Sequence, residues 1–310
     1  MAAARTTFNV NANVGGTING NAGSDLIDVT DSVTITGTVS GGNDAVTDTL
    51  NLADVLAVTD ITVSAAGTND GGQGSVTSTN VTLTGGFDDI DSLVASSGSN
   101  GTLTGSTGND DFTTAGSDSG TLTVGGVGIG YTDFTSLAGG SGNDTFTIGD
   151  NVTGSVLGGA GNDTVNYNAG TVGTLSGDGG SDELVGPNAV TTWTLDGAQS
   201  GSVGGQAFAA FELITGNGSS DTFNFSNGAS YTTVDGGNGT NAFNVTGTTT
   251  ANLTGGTGSD TFTIDSTLTG TVTGDRRQRH ADGNADRCGD ADGEHGQRVH
   301  GHRGAAEWLQ

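Results

Sequence analysis

The chemistry open to this chain is that of carboxylates. Of its 34 acidic residues, 27 lie before Asp275, and Arg5 is the only cationic side chain they face there; the chain has no Lys at all. The same stretch holds no His and no Cys, and its only Glu residues are Glu183 and Glu212. This removes His-based triads, Cys nucleophiles, Schiff-base lysines and zinc sites from consideration. Carboxylates alone could hold hard cations, or work in pairs on a glycosidic bond. Asp88-Asp89 and Asp110-Asp111 are the pairs on offer. Adjacent carboxylates on repeat loops read better as solvated turns, and catalysis is not expected. The net charge of −27 leaves a body with no affinity for phosphate backbones, so nucleic acid is excluded as a partner. Either inorganic cations neutralise this charge, or it forms a solvated acidic surface that serves solubility or adaptation to salt.

The carboxylates recur at a fixed place in a repeated phrase. Gly139-Gly140-Ser141-Gly142-Asn143-Asp144-Thr145-Phe146-Thr147 is one full copy. Gly158-Gly159-Ala160-Gly161-Asn162-Asp163-Thr164-Val165-Asn166 follows 19 residues later, and Gly255-Gly256-Thr257-Gly258-Ser259-Asp260-Thr261-Phe262-Thr263 is a third. Worn copies end on Asp25, Asp110, Asp182 and Asp221, and one at Gly236–Asn241 has Asn in place of Asp. An aliphatic-x-Gly phrase precedes the loops, starting at Ile18, Val39, Leu83, Leu103, Leu137, Val156, Leu175, Ile214, Val234, Leu253 and Val272. Several of its steps are 19 or 20 residues. Val39 to Leu83 and Leu103 to Leu137 do not fit and must carry insertions or deletions.

The elements that position these carboxylates follow from the same phrase. Glycine admits positive φ and sharp turns. After each loop the chain alternates with period two, as in Thr145–Ile148, Thr222–Phe225, Ala242–Val245 and Thr261–Ile264. Phe146, Phe223, Phe243 and Phe262 are expected inside, with Thr145 and Thr261 outside. Parallel, in-register turns of about 19–20 residues would stack the loops along one side, giving an all-β parallel β-solenoid (β-roll or β-helix) over residues 1–274, most regular over 137–274. A coarser motif recurs in Phe87–Leu93, Tyr131–Leu137 and Phe208–Ile214, read as a wider turn that plugs the interior. Trp193 and Pro187 are placed in a long variant turn with packing roles. The stretch from Asn51 to Gly86 matches no loop motif.

The three full copies match G-G-x-G-x-D-x-U-x, and the chain resembles the calcium-binding repeats of RTX and haemolysin-type proteins and the repeat segments of large bacterial adhesin-like proteins. The resemblance covers most of Ile18 to Gly274. It implies Ca²⁺ held by loop carbonyls and the motif Asp between turns on the same side. Carried over, it makes ligands of Asp144 with Gly139, Gly140 and Gly142, of Asp163 with Gly158, Gly159 and Gly161, and of Asp260 with Gly255, Gly256 and Gly258. Asp182, Asp221, Asp25 and Asp110 follow on the worn loops, and Asn241 weakens its own site. It further implies a non-enzymatic, calcium-stabilised spacer or stalk of a secreted or cell-surface bacterial protein, continued by further repeats of the same chain. The alternatives are an adhesive face for an unknown receptor or glycan, and a β-helical polysaccharide-active enzyme.

No apolar run reaches transmembrane length, so no membrane insertion is expected. The start, MAAARTTFNV, lacks an apolar leader core, so an export signal is expected elsewhere. The single Cys, Cys288, excludes an intrachain disulfide. After Gly274 the composition breaks: every His and six of the seven Arg lie beyond it. Residues 275–310 are read as a frameshifted, disordered tail, because a one-base shift with suitable codons restores a Gly-Asn-Asp loop there.

Overall fold

The structure is a computed structural model, and it describes residues 4–96 and 100–274. The tail from Asp275 onward lies outside the described residues. Within them every regular element is a strand, and the contacts divide the chain into two units. The first runs to Val165 and takes in Ala169–Leu175; the second holds Asn166–Asn168 and the residues from Ser176 on.

In the first unit, one sheet stacks Thr7–Val10, Leu26–Val29, Thr49–Asn51 and Ser92–Val94 in parallel. A second sheet stacks Thr102–Thr104, Ser136–Ser141 and Val152–Ala160, with Leu103, Leu137 and Val156 side by side. In the second unit, Glu183–Val185, Leu213–Thr215, Ser230–Asp235 and Thr249–Thr254 lie parallel, placing Leu184, Ile214, Val234, Leu253 and Val272 in one file. Beside them Thr222–Phe225, Ala242–Val245 and Thr261–Ile264 form another parallel row. The expected all-β parallel solenoid is thus observed.

Alternation fixes which side chains fill the narrow core. Phe146, Phe223 and Phe243 are wholly buried and Phe262 nearly so, while Thr145 and Thr261 are half-exposed. In-register parallel pairing puts like on like. Phe223 stacks on Phe243 at 4.8 Å and Phe243 on Phe262 at 4.6 Å between ring centroids. Phe146 belongs to a separate stack with Phe112, at 4.7 Å. Trp193 departs from expectation. It lies not in a turn but in the strand Thr192–Gly197, paired with Phe223 in register and stacked on it at 5.7 Å, fully buried. Pro187 precedes that strand in the connecting segment.

Pairing is not parallel throughout. Thr59–Ala66 and Gly72–Ser78 form an antiparallel hairpin. Asp110–Thr114, Ser119–Val124 and Val127–Thr132 form a meander, and Thr192–Gly197, Ser200–Val203 and Gln206–Phe208 another. These excursions account for the steps that broke the spacing. Two of the turns are Gly-Gly pairs, Gly125-Gly126 and Gly204-Gly205, each with both φ positive and flanked by paired residues. That is the conformation whose twist suits a two-residue hairpin. The aliphatic-x-Gly phrase at Leu83 is also out of file: Leu83 pairs with Ile35, and Phe87 takes the place beside Val39.

The coarse aromatic motif buries all three of its apolar residues in each copy: Phe87, Ile90 and Leu93; Tyr131, Phe134 and Leu137; Phe208, Phe211 and Ile214. Its common device is a left-handed residue before the second apolar side chain, at Asp89, Asp133 and Ala210, with φ of 52°, 64° and 57°.

Candidate metal centres along the aspartate ladder

The Gly-rich loops stack backbone on backbone. Gly140, Gly142, Gly159, Gly161, Gly256 and Gly258 all have positive φ, between 82° and 130°. A Cβ on Gly161 would fall on the Gly142 carbonyl oxygen, and one on Gly258 on that of Gly239, well inside the 3.0 Å that real Cβ atoms respect. Worn loops keep the turn by a substitution: Asn21, Asp178 and Asn217 replace the second Gly and have φ of 71°, 64° and 78°. Asn and Asp tolerate this region better than other residues that carry a Cβ.

Most of the loops end on a buried Asp, and in several its Oδ1 accepts the backbone N–H of the corresponding residue one turn earlier. Asp110 donates to Asp144 at 2.8 Å and Asp144 to Asp163 at 2.8 Å. In the N-terminal part of the first unit, Thr6 donates to Asp25 at 2.6 Å and Asp25 to Asp48 at 2.7 Å; Asp48 donates to Oδ2 of Asp91 at 2.8 Å. In the second unit Thr191 donates to Asp221, Asp221 to Asn241 and Asn241 to Asp260, at 2.8, 2.8 and 2.9 Å. Asp182 donates to Oε2 of Glu212 at 2.7 Å.

All the motif carboxylates anticipated from the sequence, Asp25, Asp110, Asp144, Asp163, Asp182, Asp221 and Asp260, are buried. Asp25, Asp144, Asp163, Asp221 and Asp260 accept from the turn before, whereas Asp110 accepts from Ser106 in its own loop. Asp48, Asp91 and Glu212 are rungs the loop motif missed. Each is followed two residues later by an inward aliphatic, Leu50, Leu93 or Ile214, so acid-x-apolar was the more general signal. The pair Asp88-Asp89 binds loop groups: Asp88 accepts from Thr68, and Asp89 from Asn69 and Asp70.

The second carboxylate oxygen sets the chemistry. Oδ2 of Asp25, Asp144 and Asp221 is buried with no hydrogen-bond partner. It lies over the Cα of the first loop glycine, together with a carbonyl oxygen of the next turn. A Cβ on Gly139 would strike both Asp144 Oδ2 and the Gly158 carbonyl oxygen; one on Gly20 would strike Asp25 Oδ2 and the Gly41 carbonyl oxygen. Two acceptors face each other at every such rung, with no hydrogen to share.

A hard cation ligated by oxygen fits this arrangement. Among the described residues, no group of three or more His, Cys, Asp or Glu side chains is placed to hold a metal. A cation held here would take most of its ligands from backbone carbonyls, beside one carboxylate per rung.

Burial pushes the Asp144 and Asp221 carboxyls up to about 6, against the pull of the N–H groups of Asp110 and Thr191. Asp48 is likewise pushed to about 6, first by burial and then by repulsion from Asp25, Asp91 and Asp44. Asp110 and Asp91 are raised for the same first reason. The sign follows from linkage. Between the ordinary value of 3.8 and about 6, the folded chain binds more protons than the unfolded one. This stability is fully present below about pH 3.8 and is lost as pH rises through about 6. In chelator, the melting temperature should therefore rise on acidification from pH 7 toward pH 4. A flat or falling profile would contradict the buried-rung assignment.

Strand pairing and stacked loops define an all-β, parallel β-solenoid repeat protein. No family model and no curated protein matches the chain. Among solved structures it is similar to a "hyperactive, Ca2+-dependent, beta-helical antifreeze protein from an Antarctic bacterium", at 21% identity over 87% of this chain and 81% of that one, with a TM-score of 0.23. What that protein binds is a property of that protein.

Proposed function

We propose that the chain is a calcium-stabilised structural repeat segment, a spacer or stalk within a larger secreted or cell-surface protein, without catalytic activity. One observation carries the reading: buried carboxylate oxygens at Asp25, Asp144 and Asp221 face carbonyl oxygens across successive turns. With no Lys in the chain and Arg5 the one Arg among the described residues, a cation from solution is the remedy we infer. Extracellular modules bind calcium at about 10⁻⁴–10⁻³ M, which suits an exported chain. The resident ion would neutralise the rung and join its two turns. The chain's own part is to bury the carboxylate, hold Oδ1 with a backbone N–H and keep the loop free of side chains.

The test is thermal melting and circular dichroism in calcium and in chelator. Calcium is expected to raise the melting temperature in proportion to the logarithm of its concentration. Chelator is expected to loosen the block around Asp144 and Asp163 first. Identical melting with and without chelator would sink the reading.

A second reading, an adhesive face, has one observation in its favour. An open groove of about 430 Å³ in the first unit is lined by Asn19, Asn21, Asn43, Thr68, Asn69 and Asp88, among others. Amides and hydroxyls of this kind suit a sugar. Saturation-transfer NMR against a glycan panel separates the two readings, since a spacer should show no transfer.

A further inference from the structure

Asn241 occupies a ladder position between two carboxylate rungs, Asp221 and Asp260. Its Oδ1 accepts the Asp221 N–H at 2.8 Å, as Asp221 Oδ1 accepts that of Thr191 at 2.8 Å. That donor fixes which way the amide faces, so Nδ2 must take the other side. There it donates to the Gly255 carbonyl at 3.1 Å, and Asn241 is as buried as its neighbours.

The Asp221 rung has the same geometry with the opposite chemistry. From the Cβ position of Gly216, Asp221 Oδ2 and the Gly236 carbonyl oxygen are each 2.7 Å away. From that of Gly236, Asn241 Nδ2 is 2.6 Å and the Gly255 carbonyl oxygen 2.8 Å away. Asp221 aims an acceptor at a carbonyl where Asn241 aims a donor.

We propose that Asn241 is a rung that closes without a cation, its amide N–H serving the next-turn carbonyl in the place that a cation serves on the Asp rungs. This rests on the calcium reading for the Asp rungs. Asparagine then does not wear down the ladder. It sets which turns of the chain stay joined when calcium is withdrawn, and the strand Ala242–Val245 should keep its pairing in chelator. By the same geometry, Asp221→Asn converts a cation-dependent rung into an independent one, and Asn241→Asp does the reverse.

The test uses the full chain at slightly above neutral pH, where the carboxylates are ionised, comparing wild type with Asp221→Asn, Asp221→Ala and Asn241→Asp. In chelator, Asp221→Asn should melt about 3 °C or more above wild type, and Asn241→Asp below it. Calorimetric titration should find one calcium fewer bound to Asp221→Asn and a larger calcium-induced shift for Asn241→Asp. Amide exchange at Ala242–Val245 should accelerate in chelator only in Asn241→Asp. Should Asp221→Asn melt in chelator as low as Asp221→Ala, the amide does not close the rung and the proposal is overturned. Should wild type ignore calcium while Asp221→Asn still gains and Asn241→Asp still loses stability, the donor rung stands and the calcium reading falls.

Discussion

Gly161→Ala is expected to unfold the loops around Asp144 and Asp163, with a loss on the order of 4 kcal/mol. Two penalties combine. At φ of 130° the residue sits where L side chains rarely go, and its Cβ would overlap the Gly142 carbonyl oxygen. Left-handed strain on a non-glycine residue costs about 1–3 kcal/mol, and overpacking against structure that cannot retreat costs a similar amount. The obstacle is backbone one turn away, so no rotamer change relieves it. Gly15→Ala is the control: nothing lies within 4 Å of its Cβ and its φ is not positive. A change within about 0.5 kcal/mol is expected there. Chemical denaturation with hydrogen exchange checks both, and equal losses at the two positions would refute the stacked-loop account. Gly139→Ala separates steric from conformational strain, since its φ is ordinary while its Cβ would strike Asp144 Oδ2 and the Gly158 carbonyl oxygen.

Phe243→Ala should be among the most damaging core truncations in the second unit, at about 4 kcal/mol. The ring is fully buried and stacked on both sides, on Phe223 and Phe262, with interplanar angles of 13°. Truncation removes two aromatic contacts of about 0.5–1.5 kcal/mol each in addition to the lost burial. Phe262→Ala should be milder, because the residue is 7% exposed and its ring has one stacking neighbour in this ladder. In a repeat array each turn leans only on its neighbours. The defect should therefore appear as faster exchange at Thr222–Phe225 and Thr261–Ile264, with the first unit unchanged. Equal penalties for Phe243 and Phe262 would argue against a continuous stack.

The repeat and its inward Phe positions were legible because the physics is local. Thr145–Ile148 alternates, and glycines bracket it. The hairpins were not, since a Gly-Gly pair reads alike in a calcium-type loop and in a tight hairpin turn; only the flanking pairs Val124–Val127 and Val203–Gln206 tell them apart. Trp193 was misplaced for a related reason. Its strand follows a Pro-containing segment and lacks the Gly-rich loop, yet Thr-Trp-Thr-Leu alternates as Thr-Phe-Asn-Phe does. Asp48 and Asp91 escaped a motif built on glycines, because their loops differ in length while their rung positions do not. Asn241 seemed a loss when judged as a ligand. Only the carbonyl of Gly255, a residue from the next turn, shows what its amide is for.

The Asp ladder also has a direction. Along its regular runs the N–H of one rung goes to the rung of the turn after, as from Asp110 to Asp144 to Asp163 and from Thr191 to Asp221 to Asn241 to Asp260, whereas Asp91 and Glu212 turn theirs back to the carbonyls of Asp48 and Asp182. Thr6 and Thr191 occupy rung positions with a donor and no carboxylate, and so begin their ladders without leaving an anion open. Along these runs, a chain emerging with its N-terminus first would end on a donor awaiting the next turn. One emerging C-terminus first would end on a waiting carboxylate, ready for the next N–H or for calcium at once. The direction in which the chain emerges therefore decides whether each new turn docks onto a finished template or waits for its own.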